Sequence, residues 1–176
     1  MHLVADALIA HPRPRVFATY RDRLVDLVEH LPNIRKIEIH SRTERGGEVD
    51  LVNEWFGGGD IPAVARSVLN ESMLRWTDHA TWIERDFRVV WRTEIHAFPG
   101  AVRTSGANRF VEVDGGTRLE VRGDFVCDPS KVPGVPRLLA KSIGAAIEKF
   151  MVAQIAKNAH EIARGVARLV AAEAAP

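Results

Sequence analysis

Asp78 and His79 stand side by side, and a carboxyl next to an imidazole is a familiar pair for acid–base chemistry near neutral pH. On a strand, though, neighbouring side chains point to opposite faces. The two cannot act together without a further partner, and a surface pair is the expected placement. The seven histidines, His2, His11, His30, His40, His79, His96 and His160, contain no i, i+4 pair and no His-Glu-x-x-His arrangement. Zinc chemistry has no support in that spacing. Of the serines, Ser105 has Arg103 and Ala107 where a nucleophile elbow needs glycine. Gly57-Gly58-Gly59 is not followed by Gly-Lys-Ser/Thr, so it is no phosphate loop. A single cysteine, Cys127, makes neither an internal disulfide nor a thiolate metal site. No catalytic residue, metal ligand or cofactor is assigned.

The elements that must position these residues follow from periodicity. A strand over about 2–10 carries Leu3, Ala5, Ala7 and Ile9 on one face. His11-Pro-Arg-Pro14 breaks it and leads into an amphipathic helix over about 15–30, with Val16, Phe17, Tyr20, Leu24, Leu27 and Val28 on its apolar side. Strands over 34–42 and 48–56 flank the Arg45-Gly46-Gly47 turn. Asp60 caps an expected short helix over 61–69, with Pro62 in its first turn. Four long strands follow, over about 73–83, 87–98, 101–113 and 117–127, separated by turn residues. From Arg137 the chain reads as one helix almost to its end. Its stripe is Leu139, Ile143, Ile147, Phe150, Met151, Ile155, Ile162, Val166 and Leu169, with Gly144 and Gly165 as places to bend or fray.

Seven mainly antiparallel strands must bury one face, and only the last helix is long enough to cover it. The expected fold is therefore α+β: a curved sheet wrapped round a long C-terminal helix, with two shorter helices, in one domain spanning 1–176. In this layout, in the turn Asp114-Gly-Gly-Thr-Arg-Leu-Glu-Val121 and in the opening His11-Pro-Arg-Pro-Arg-Val-Phe17, the sequence resembles the Bet v 1/START-like (SRPBCC) helix-grip superfamily. Val52-Asn-Glu-Trp55, followed by Ile61-Pro-Ala-Val-Ala-Arg-Ser-Val68, is also similar to the PRELI-like lipid-transfer branch. The resemblance implies a cavity between the sheet and the last helix.

Alternation assigns the lining of such a cavity. Asn53 and Trp55 share a face of their strand, as do Trp91 and Thr93, Asn108 and Phe110, and Leu119, Val121 and Phe125. Glycine and asparagine at these inward positions favour a hollow over a filled core. Ile61 and Val64 from the short helix, and Ile147, Phe150 and Gln154 from the last, complete the candidate ligand-binding set. Asn158 is read as solvated flank. In strand 73–83 the inward phase stays open: Trp76, Asp78, Ala80 and Trp82 alternate with Arg75, Thr77, His79, Thr81 and Ile83. The glycine run at 57–59 would let the short helix swing as a lid. Arg66, Arg137 and Lys141 would meet an anionic headgroup.

Composition excludes whole classes. At 176 residues and 46% hydrophobic the chain is long enough for a real core, and 24 Lys and Arg against 23 Asp and Glu give no basic footprint for nucleic acid. No apolar run reaches membrane-spanning length, and the opening residues make a poor signal peptide, so a cytoplasmic protein is expected. The expected function is binding, extending to transport, of a hydrophobic small molecule or lipid without covalent catalysis, with at most transient membrane contact. The alternative is a polyketide cyclase/aromatase-type enzyme using the same cavity, and a third reading is a protein–protein adaptor. The oligomeric state stays open.

Overall fold

In the computed structural model of this chain, the alternation of small and branched residues becomes seven strands: β1 (His2–Ile9), β2 (Ile34–Arg45), β3 (Glu48–Gly57), β4 (Arg75–Ile83), β5 (Arg88–Ile95), β6 (Val102–Val113) and β7 (Gly116–Cys127). The structure describes residues 1–58, 61, 66, 70–97, 99–132, 135, 138 and 140–173. All seven strands join one antiparallel sheet in the order β1-β7-β6-β5-β4-β3-β2. Register shifts in β2 after Ile34 and Ile39 mark bulges, and bulges sharpen the local twist and bend of a strand. One face of the sheet is apolar and carries the core. Leu3, Ile9, Leu51, Leu119 and Phe125 are each almost fully buried there.

The first helical segment differs from a single helix over 15–30. It is an α-helix, α1 (Arg13–Asp22), followed by a 3-10 segment, Val25–His30. At Arg23 the backbone leaves helical geometry (φ −116°, ψ 31°) while its N–H still bonds Thr19 O. The break re-aims the chain so that Leu27 and Leu31 reach the core as well as Phe17 and Tyr20. Phe17 anchors α1 edge-on against Trp82, Phe87 and Phe110 at centroid distances of 5.3, 5.5 and 5.1 Å. A buried side chain of that size stabilises by roughly 1.5–3 kcal/mol.

The strand expected over 87–98 begins later, at Arg88, because a 3-10 turn (Glu84–Asp86) ends with Phe87 in the left-handed region at φ 45°. Of the expected short helix over 61–69 only Ile61 and Arg66 are described; its other positions, Val64 among them, and Arg137 and Leu139 lie outside the described residues.

The last helix, α2 (Ala140–Glu173), runs unbroken for 34 residues, about 51 Å at 1.5 Å per residue. Gly144 and Gly165 both lie inside it. They are close approaches, where a Cβ would come within 2.9 Å of the Pro129 ring and 3.0 Å of Leu27 and His30. The C-terminal half is the gripped half, with Ala159, Ala163, Val166, Leu169 and Val170 buried. Glu173 then ties the helix end to the start of the chain through Arg23 Nη1 (3.2 Å) and Arg15 (3.9 Å).

Candidate functional site

A cavity of about 210 Å³ lies between the inner face of the sheet and α2, with Tyr20 and Leu24 closing it from the first helical segment. Its floor is built in rungs, because antiparallel register sets residues of neighbouring strands opposite one another. Asn53 on β3 faces Asp78 on β4, Asp78 faces Thr93 on β5, and Thr93 faces Thr104 on β6. All four side chains line the cavity, and they form a polar band across an otherwise apolar wall. One rung to the side lie Trp55 and Trp76, also paired in register and stacked at 5.9 Å and 11°. On the other side are Trp91 and, one rung further, Trp82. All four tryptophans of the chain therefore surround the same space.

Strand β4 turns Trp76, Asp78, Ala80 and Trp82 inward, which resolves its phase and overturns the reading of Asp78 as a surface residue. His79 points the other way and pairs with Glu94 at 3.3 Å. Loss of water pushes the Asp78 carboxyl up to about 7, although the Asn53 amide, donating from 3.5 Å, slightly favours the charged form. Burial also raises the Tyr20 phenol, as does the negative charge of Asp78. Among the described lining residues no lysine, arginine or histidine offsets that carboxyl.

Several buried polar atoms around the cavity have no partner within the protein: Asn53 Oδ1, Thr93 Oγ1, Thr104 Oγ1, Asn158 Oδ1 and the indole N–H groups of Trp55 and Trp82. Buried polar groups are normally satisfied, and each exception costs free energy. Trp91 is different, since its N–H donates to Asn108 Oδ1 at 2.9 Å.

Of the candidate ligand-binding residues, Asn53, Trp55, Trp91, Thr93, Asn108, Phe125 and Gln154 line the cavity. Phe110 does not. It stands behind the wall, packed on Phe17. Ile147 and Phe150 are half-buried on α2 but lie outside the lining, one turn before Met151 and Gln154, which enter it with Ile155 and Ile162. Ile61 is described but lies away from the lining. The Gln154 carbonyl already accepts from Asn33 at 3.2 Å, whereas Asn158, read as solvated flank, reaches the cavity. The glycines of β6 and β7 do not leave a hollow either: the Trp91 ring lies over Gly106 and Gly123 and fills it. Among the lining residues that pattern reading did not assign are Thr104, Trp76, Asp78, Trp82 and Tyr20. A tryptophan two residues before Asp78 and another four after it on the same face was the available signal.

On the outer face, Glu54 is buried beneath Arg75, His40 (2.9 Å) and His96 (3.5 Å), which link β2, β3, β4 and the end of β5. The Arg75 guanidinium, with His40, holds the Glu54 carboxyl down at about 2. Donor atoms of Glu38, His40 and Glu54 lie within 4.8 Å of one another, close enough to share a cation. Arg75 and Lys36 already neutralise the two carboxylates, so the group is an ion-pair network.

No family model matches the sequence, nor does any curated protein. Solved structures do. TTHA0849 from Thermus thermophilus superposes with a TM-score of 0.69 at 16% identity, covering 99% of this chain and 100% of that one. The Zhui aromatase/cyclase from Streptomyces sp. R1128 gives 0.69 at 17% identity over 99% of this chain and 96% of that one. Ara h 8.0201 gives 0.57 at 14% identity over 98% of both. Likeness of this kind concerns the fold. Among the described residues no helix is long and apolar enough to cross a membrane.

Proposed function

Starting from the helix-grip fold of the Bet v 1/START-like superfamily, we propose that this chain binds one compact hydrophobic molecule, aromatic in part, between the sheet and α2. The observation that carries the reading is the convergence of all four tryptophans on a single cavity crossed by a band of polar atoms. An apolar pocket with a few placed polar groups is the usual build of a small-molecule site. At about 210 Å³ it falls below the ~300–1,000 Å³ of pockets for drug-sized ligands. That size favours a small ring system over a two-chain lipid.

Native mass spectrometry of freshly purified protein tests the reading, together with titration of tryptophan fluorescence by 2-naphthol. A bound small molecule, or saturable quenching at one site per chain, is the expected result. Neither adduct nor saturable quenching would remove the basis for a ligand site.

A second reading, an enzyme of the cyclase type, is favoured by Asp78. A carboxyl held at about 7 by burial gives or takes a proton at neutral pH. It would abstract a proton from a bound substrate carbon or return one to a leaving hydroxyl. Under that reading Asp78→Asn abolishes turnover while the substrate still binds.

A further inference from the structure

Among its described lining residues the cavity carries one charged side chain, Asp78, within a ring of four indoles. Four oxygens of its lining residues, Asn53 Oδ1, Thr93 Oγ1, Thr104 Oγ1 and Asn158 Oδ1, are buried without a partner among the described residues, the two hydroxyls being able to donate as well as accept. The indole N–H groups of Trp55 and Trp82 are likewise unpartnered. Between the first three of those oxygens in the sheet register stands the Asp78 carboxyl. Tyr20, from α1, is the only other titratable side chain among the described lining residues. β3, β5, β6, β7 and α2 contribute no charged side chain to the cavity. An anionic ligand would find a carboxyl and no cation to meet it. A neutral hydrocarbon would leave the carboxyl with the Asn53 amide and no countercharge.

We infer that the ligand carries a protonated amine, held by Asp78 and the neighbouring acceptor oxygens inside the cage of tryptophans, with its apolar body along the rest of the cavity. An ammonium supplies N–H donors to oxygens that lack them. It supplies the missing countercharge to a buried carboxyl, which is costly to leave alone. Indole faces attract cations, most strongly where water is excluded. The two free indole N–H groups would take an acceptor atom elsewhere on the ligand. This inference rests on the reading of the cavity as a ligand site, and its test separates the two.

Calorimetric titration with three probes of nearly equal shape makes that separation: tryptamine (cationic), 3-propylindole (neutral) and indole-3-propionate (anionic). At pH 8 the expected order is tryptamine first, by about tenfold or more over 3-propylindole, and the anion weakest. Asp78→Asn should erase the preference for tryptamine over 3-propylindole. Lowering the pH to 5 should weaken tryptamine at least about tenfold, because Asp78 then holds its proton, and leave 3-propylindole unchanged. If 3-propylindole binds as well as tryptamine, or the variant keeps the preference, the amine is overturned and the ligand site stands. If none of the three binds, the ligand site falls and the amine with it.

Discussion

Asp78 is the one charged side chain among the described residues lining the cavity, and its environment makes a sharp prediction for pH. Its carboxyl sits near 7 in the folded chain against 3.8 in an unfolded one. Folding therefore favours the protonated form. The stabilisation this brings is complete below about 4 and is lost as pH rises through about 7. Asp78→Asn removes the titration. Relative to wild type the variant should gain on the order of 2–4 kcal/mol between pH 4.5 and pH 8, read as the difference in urea unfolding at the two values. A pH-independent difference would mean that Asp78 does not titrate in this range. The identity of the residue is plain in the sequence, but its role is not. Strand alternation is the same for both phases, and only the pairing of β4 with β3 and β5 says which side faces the helix.

At the scale of elements, the sheet register puts like with like. Asn53, Asp78, Thr93 and Thr104 come from four strands up to 51 positions apart in the chain, yet they stand in one row. Face assignments within single strands are legible: Leu3, Ala5, Ala7 and Ile9 of β1, and Val49, Leu51, Asn53 and Trp55 of β3, are all buried as their period of two requires. What fills the space above them is less so. Gly106 reads as a residue that opens a hollow, and instead the Trp91 indole occupies it, 2.7 Å from where a Cβ would stand. A Cβ there would also run into the Arg122 backbone carbonyl, so Gly106→Ala should press β6 away from β7 as well as displace the ring, and cost about 1–3 kcal/mol or more in thermal or urea unfolding. An unchanged midpoint would show that the two strands have room to separate. On the outer face, Glu54 ties β3 to β2 and β4. Its depressed pKa means that its contribution is present above about 4.5 and is lost as pH falls through about 2. Glu54→Gln should lower the melting temperature by a few degrees at pH 7 and flatten the acid limb of the stability curve between those values. An acid limb as steep as wild type's would remove Glu54 as its cause.

For the whole molecule, the cavity is a stability cost, because its lining forgoes packing contacts that a filled core would make. Ala80 lines it from β4, between Asp78 and Trp82. Ala80→Leu should fill part of the space, leave the unfolding midpoint equal or higher, and abolish uptake of 2-naphthol. Loss of folding together with binding would place Ala80 in a packed core instead. The order and kind of most elements, the single long covering helix and hence the helix-grip fold are already written in the chain. Those follow from period, turn chemistry and length, which are local properties. That Asp78, Tyr20 and the four tryptophans share one cavity, that Phe110, Ile147 and Phe150 stand outside it, and that no described lining residue offers the carboxyl a cation emerge only once the chain is folded. Those facts depend on strand register, on the break at Arg23 and on which face of α2 is gripped. Each is set by contacts between residues far apart in the chain.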